Sequence, residues 1–315
     1  MPPPASPATP LVVLNPHASR LHDPETRAAL TRALVKAVER RTGLTPDVAE
    51  GTVEEARIAF ADAASRRPSL VVVAGGDGSV RQAAAALDGT GIPLAIVPCG
   101  TGNVLANGLR LGGPAAMARA LPTAVERVVD LGRVSWGVDP TTPEGRETFV
   151  VACGMGLDAR IMAGTDRHLK RRSGFAAYVA SAAREIVRPR PSEFRVEVDG
   201  DVTELTGLAV LVANAGELIP GLLGPRHAID AGDGRLEVLV LGGRNALGAA
   251  RGGLELLLRT DGPHGGVALR GSGRHIRVHA VPAQPIQIDG DVHGRGWLDA
   301  HVVPGALTVL VPPRA

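Results

Sequence analysis

The chain has 315 residues, enough for two domains with a core each, and its 44% hydrophobic and 21% charged residues are ordinary for a globular protein. A net charge of +2 and an aromatic content of 2% argue against a nucleic-acid binder, which needs a basic face or stacking rings. Cys99 and Cys153 stand far apart without CxxC spacing, which excludes a cysteine-rich zinc site and fits a reducing compartment.

Residues 1–10 are proline-rich and read as a disordered lead-in without the charged and apolar regions of a secretory signal. A buried strand is predicted over 11–14. Leu30, Leu34 and Val38, four apart, predict a helix over 24–41 that Gly43 stops. Then come a helix over 54–64, a strand over 70–74, a helix over 80–87, a strand over 94–97 and a helix opening at 103–109. Strands alternating with helices through short glycine-rich turns predict an α/β domain, a parallel sheet with helices on both faces. Ligands of such sheets sit at the carboxyl ends of the strands, where Asn15, Asp77 and Thr101 fall.

The pattern changes near Asp130. Strands are predicted over 128–131, 148–152, 194–198, 208–213, 236–241, 275–280 and 286–288, with helices mainly at 178–187 and 247–258. That describes a β-rich sandwich domain over 131–303. The run 307–311 reads as a strand able to return to either domain, so the α/β domain takes 11–130, with 304–315 as a candidate addition. The longest apolar stretch, around 205–215, is shorter than the roughly 20 residues that span a bilayer. A cytoplasmic protein is expected, at most peripheral at a membrane.

Two turns carry the strongest chemical signal. Gly75-Gly76-Asp77-Gly78-Ser79 follows an apolar run, and Pro98-Cys99-Gly100-Thr101-Gly102-Asn103 follows the next. Glycines there leave bare N–H groups where a helix begins, an arrangement suited to phosphate. Thr101 adds a hydroxyl and Asn103 a helix cap. A single such turn is as often an ordinary tight turn; two on consecutive βα units favour a nucleotide. Neither GxxxxGK[ST] nor an early GxGxxG is present, which disfavours a P-loop enzyme and a dinucleotide site. Asp77 is placed to organise Mg²⁺ and phosphates through water, or to cap the helix that follows it. Asp230-Ala231-Gly232-Asp233-Gly234-Arg235 reads either as a metal loop or, preferably, as a plain turn. Asp289-Gly290-Asp291 reads as a hairpin turn or as a general base with its partner. The basic run His168-Leu169-Lys170-Arg171-Arg172 is by default a solvated face; it could also screen nucleotide phosphates or attract anionic headgroups.

In order along the chain, these segments resemble the bacterial diacylglycerol and lipid kinase family, relatives of sphingosine and ceramide kinases. The matching pieces are Asn15-Pro16, Gly75 to Ser79, Pro98 to Asn103, Gly154 to Ala159, Lys170 to Gly174 leading to Tyr178, Asn214-Ala215-Gly216 with Pro220-Gly221, Asp233-Gly234, Asp289-Gly290-Asp291 and Pro304 to Leu307. The resemblance implies nucleotide in a cleft between an α/β domain and a sandwich, and transfer of the ATP γ-phosphoryl group to a lipid hydroxyl with Mg²⁺. It places Asn15, Pro16, His17, Ala18, Ser19, Gly75, Gly76, Asp77, Gly78, Ser79, Val80, Arg81, Gly100, Thr101, Asn103 and Lys170 on the nucleotide. It makes Asp230, Asp233 and Arg235 a structural metal loop, partly through main-chain oxygen, and Asp291 the base that takes the acceptor's proton. The expected partners are diacylglycerol or a related lipid alcohol, an anionic membrane surface and a second copy of the chain, with no nucleic acid. Three positions depart from the family pattern. Asp291 replaces its usual Glu, Ala18-Ser19 replaces Ser-Gly, and Thr52 is the nearest counterpart of a threonine before the second helix. Two other readings are a nucleotide-binding regulator with impaired catalysis and a kinase of a soluble acceptor such as NAD.

Overall fold

The computed structural model describes residues 9–156, 191–215, 229–242 and 267–313. Their contacts divide the chain into two units, one of Met1–Leu131 with Pro304–Ala315, the other of Gly132–Val303.

In the first unit, β1 (Leu11–Leu14) leads into α1 (Pro24–Thr42), which Asp23 caps by accepting the Thr26 N–H at 2.7 Å. Gly43 ends α1 at φ 74°, a left-handed conformation that glycine adopts without a Cβ clash. There follow β2 (Asp47–Glu50), α2 (Val53–Arg66), β3 (Val71–Gly75), α3 (Asp77–Leu87), β4 (Leu94–Pro98), α4 (Val104–Gly108) and α5 (Pro114–Ala120). The sheet runs β2-β1-β3-β4 and is completed by the C-terminal part of β16 (Trp297–Val311), where Val309 pairs with Leu94. All of these pairings are parallel. The chain steps from β1 to β2 in one direction and from β2 through β3 to β4 in the other. Right-handed crossovers therefore put α1 on one face and α2 and α3 on the other. The contacts agree: α2 packs along α3, and α1 packs with α5. This is the α/β layout expected from the sequence. The core is aliphatic and continuous, with β1, β3 and β4 buried at every position.

In the second unit the strand pairs described below are antiparallel. One sheet joins the start of β16 to β13 (His275–Val281), β8 (Ser192–Val198) and β9 (Asp201–Gly207); the end of β5 (Val125–Gly137) pairs with β6 (Gly145–Phe149). The other sheet has the order β12 (Val267–Gly273), β11 (Leu236–Leu241), β10 (Ala209–Ala213), β7 (Ala152–Gly156), β14 (Pro285–Ile288), β15 (Asp291–Arg295). Phe194, Val196, Ile276 and Leu298 of the first sheet meet Met155, Val210, Val238 and Ile286 of the second in one buried cluster. That is a sandwich core, as expected.

Several predicted elements shift. The strand predicted over 148–152 is the junction of β6 and β7, because the N–H groups of Val150, Val151 and Ala152 turn to the Asp289 carboxylate at 2.8–3.0 Å. β2, β9, β12 and β15 were absent from the prediction, and β16 begins ten residues before the predicted 307. The helices predicted over 178–187 and 247–258 lie outside the described residues, as does most of the lead-in.

Candidate active site

Strand order reverses at β1, between β2 and β3, and the carboxyl ends flanking that switch are where open α/β sheets bind ligands. Three turns of the first unit gather there. Asn15 leaves β1 buried; its Oδ1 accepts the His17 N–H at 2.9 Å, and its Nδ2 donates to Ser79 Oγ at 3.0 Å in the turn after β3. The Cys99 carbonyl after β4 accepts Ser19 Oγ at 3.2 Å and the Arg20 N–H at 3.0 Å, while the Cys99 N–H donates to Gly75 O at 2.8 Å. The turns thus form one hydrogen-bonded unit.

Glycine is required at the closest approaches. A Cβ on Gly100 would lie 2.5 Å from Gly76 Cα, and one on Gly75 would lie 2.6 Å from Ser79 Oγ. Gly78 is different: a Cβ there would meet nothing within 4 Å. It occupies the first turn of α3, whose N-cap, Gly76, offers no side-chain hydrogen bond. Pro16 is half-buried, and Ala18, Ser79, Val80 and Arg81 are buried beneath the turns. His17, Ser19 and Thr101 are exposed.

Asp77 is the one carboxylate in these turns. Sequence reasoning offered it as a cap for the helix that follows it; it holds the next helix instead. Its Oδ2 accepts the Asn103 N–H at 2.8 Å and its Oδ1 the Val104 N–H at 2.7 Å, both at the start of α4. Burial pushes its carboxyl above the usual range, against the lowering effect of these hydrogen bonds. Asn103, left-handed at φ 50°, closes the turn on Gly100, accepting its N–H at 2.9 Å and donating to its carbonyl at 2.7 Å. Burial also raises the Cys99 thiol to about 11, which keeps it protonated and inert.

The glycine-capped start of α3 and the room above Gly78 fit nucleotide phosphates. The single carboxylate of these turns, Asp77, has each oxygen on one backbone amide. Among the described residues no three His, Cys, Asp or Glu side chains gather as metal ligands.

Sequence reasoning passed over one device here. Thr52 and Glu55 cap α2 reciprocally, the Thr52 N–H donating to Glu55 Oε2 at 2.7 Å and the Glu55 N–H to Thr52 Oγ1 at 3.3 Å. The signal was available as Thr-x-x-Glu, the capping-box pattern. The Thr52 N–H, and after it the Thr52 side chain, hold the Glu55 carboxyl below the usual range.

In the second unit, Asp289 and Gly290 form a hairpin turn with φ 46° and 87° between β14 and β15. The two carboxylates of this turn differ. Asp289 is built into the fold through Val150, Val151 and Ala152, whereas Asp291 is exposed at the start of β15. In the 230–235 turn, Asp230 Oδ1 accepts the Gly232 N–H at 3.2 Å and Asp233 Oδ1 the Arg235 N–H at 2.9 Å. The Arg235 guanidinium holds Ser272 of β12, with Nε at 2.8 Å from its hydroxyl. Lys170 lies outside the described residues.

Two family models cover the chain. The diacylglycerol kinase catalytic domain matches residues 9–134, and the YegS C-terminal NAD kinase beta sandwich-like domain matches residues 151–311. A diacylglycerol kinase of Mycobacterium tuberculosis is 33% identical over 177 residues, 55% of this chain and 55% of that protein, so the match takes in about half of the relative's length. A Pseudomonas aeruginosa protein named "Probable lipid kinase YegS-like" is 28% identical over 304 residues, 96% of this chain and 94% of its own. A crystal structure of a diacylglycerol kinase from Bacillus anthracis has the same fold, with a TM-score of 0.74 at 19% identity over 97% of each chain. Catalytic-domain model on the α/β part, sandwich model on the rest: the chain belongs to the lipid kinase family of diacylglycerol kinases and YegS-like proteins.

Proposed function

We propose that the chain transfers the γ-phosphoryl group of ATP to the hydroxyl of diacylglycerol or a related lipid alcohol. The observation that carries the nucleotide half is Gly78. It sits in a helical turn outside the left-handed region, and no neighbour would touch a side chain there. Alanine would favour that helix by up to about 1 kcal/mol. Glycine at such a place suits a ligand that comes up against the backbone.

Phosphoryl transfer asks a protein mainly to position the nucleotide and to neutralise charge. In this reading Asn15 and Ser79 fix the first turn, the amides from Gly76 to Ser79 take the phosphates, and the Thr101 hydroxyl adds a donor. The exposed side chains of His17 and Ser19 complete the lining, and Lys170 supplies positive charge. Mg²⁺ would screen the phosphates and polarise the transferring group, carried on the nucleotide with its water. Asp291 takes the proton of the attacking lipid hydroxyl. Asp230, Asp233 and the Arg235 carbonyl would hold a separate structural cation, tested by whether Mg²⁺ raises the Tm and whether Asp233→Ala abolishes that rise.

The test is ³²P transfer from γ-labelled ATP to diacylglycerol in mixed micelles. Labelled phosphatidic acid is expected, and Asp291→Asn should lower its rate at least a hundredfold while ATP affinity holds. Labelling of a soluble acceptor without lipid would move the assignment to that acceptor. ATP binding without any transfer would leave a nucleotide-binding regulator.

A further inference from the structure

We propose that Asp77 is a positioning residue, the built-in anion of the second glycine turn, and not a ligand of the catalytic metal. This rests on the nucleotide reading above and goes beyond it by separating two turns that look alike in sequence.

Each turn presents amides at the start of a helix. The cap residue of α3, Gly76, has no side chain to offer them. Those of α4 are taken, Asn103 N–H and Val104 N–H by the two oxygens of Asp77 at 2.8 and 2.7 Å. Asn103, the residue at the cap position, makes no cap of its own because its side chain is spent on Gly100. Asp77 therefore does the capping from another βα unit. Gly102 leaves room for it: a Cβ there would lie 2.7 Å from Asp77 Oδ2.

The consequence is chemical. With the Asp77 carboxylate already on these amides, a phosphate does not take them. A metal ion binding the same two oxygens would have to compete with two charge-assisted hydrogen bonds. Asp77 instead holds the Gly100–Asn103 turn, and with it the Thr101 hydroxyl, in place for a nucleotide seated next door.

The experiment is calorimetric binding of ATP to the wild-type chain, Asp77→Asn and Asp77→Ala, in EDTA and in excess Mg²⁺. Both variants should lose at least tenfold in affinity by the same factor in both conditions. Amide hydrogen exchange at Asn103 and Val104 should quicken, and formate should restore part of the affinity of Asp77→Ala by refilling the vacated space. The Mg²⁺ concentration that half-saturates turnover should be the same for Asp77→Asn as for the wild type. A loss seen only with Mg²⁺, beside wild-type affinity in EDTA, would make Asp77 a metal ligand and overturn the proposal; so would wild-type affinity in both conditions. Asparagine keeps an acceptor for one of the two amides, so the comparison does not depend on the alanine variant being stable. If the wild-type chain itself binds no ATP in either condition, the nucleotide reading falls instead.

Discussion

At the scale of single residues, the site depends on where side chains are missing as much as on where they are present. Gly100→Ala would drive a Cβ against Gly76 Cα, and backbone cannot step aside cheaply. It should cost about 1–3 kcal/mol in urea unfolding and lower ATP affinity together. Gly78→Ala separates the two quantities. Its Cβ enters open space, so stability should hold or rise by up to about 1 kcal/mol while ATP affinity falls. Equal affinity in that variant would remove the main support for the nucleotide site. Asp289→Ala should cost about 2–3 kcal/mol, because three amides lose a charged acceptor at once. The turns themselves were legible, since glycines after an apolar run can hardly signal anything else. The division of labour within them was not. Nothing in the order Asp77-Gly78 tells that the carboxylate reaches a helix 26 residues on, or that Asp289 and not Asp291 ties down the junction at Val150.

Among the elements, the strands that prediction found are those whose burial is written in side chains. β3 and β4 are buried at every position, and β11 alternates buried with half-buried. β2 and β9 are mostly exposed, and backbone pairing with β1 and β8 makes them strands, which residue type does not reveal. β8, β13 and β16 also carry a charged outer face, where Asp299 accepts from Arg277 Nε at 2.9 Å and lies 2.7 Å from His275 Nε2. Burial would raise the Asp299 carboxyl, but the bonds from Arg277 and His275 outweigh it and hold it below 3.8. A carboxyl depressed by folding contributes stability above its unfolded pKa and loses it as pH falls through the folded one. The chain should thus lose stability below about pH 4 in part through this group, and Asp299→Asn should flatten that slope in urea midpoints measured from pH 3 to 6.

For the whole molecule, the chain's last strand matters more than its length suggests. β16 pairs with β13 through residues 297–301 and, farther on, places Val309 and Leu310 beside Leu94 and Ala95 of β4. The first unit also uses the Ala306 carbonyl, which accepts from Gly89 at 2.9 Å, and Asp130, which accepts the Gly305 N–H at 2.8 Å. Ala306, Leu307, Val309 and Leu310 are all buried. A chain ending at Val303 should lose roughly 5 kcal/mol or more, a large part of what holds a domain together. An unchanged urea midpoint for that truncation would count against this account. Synthesis then has an order of its own. β1 to β4 leave the ribosome before β16, so β4 keeps a bare edge until the residues of the second unit, Gly132–Val303, have been added. At typical translation rates that wait is on the order of ten to thirty seconds, with an open parallel edge offered to any passing strand. The nascent chain should therefore lean on chaperones until residues 304–311 arrive.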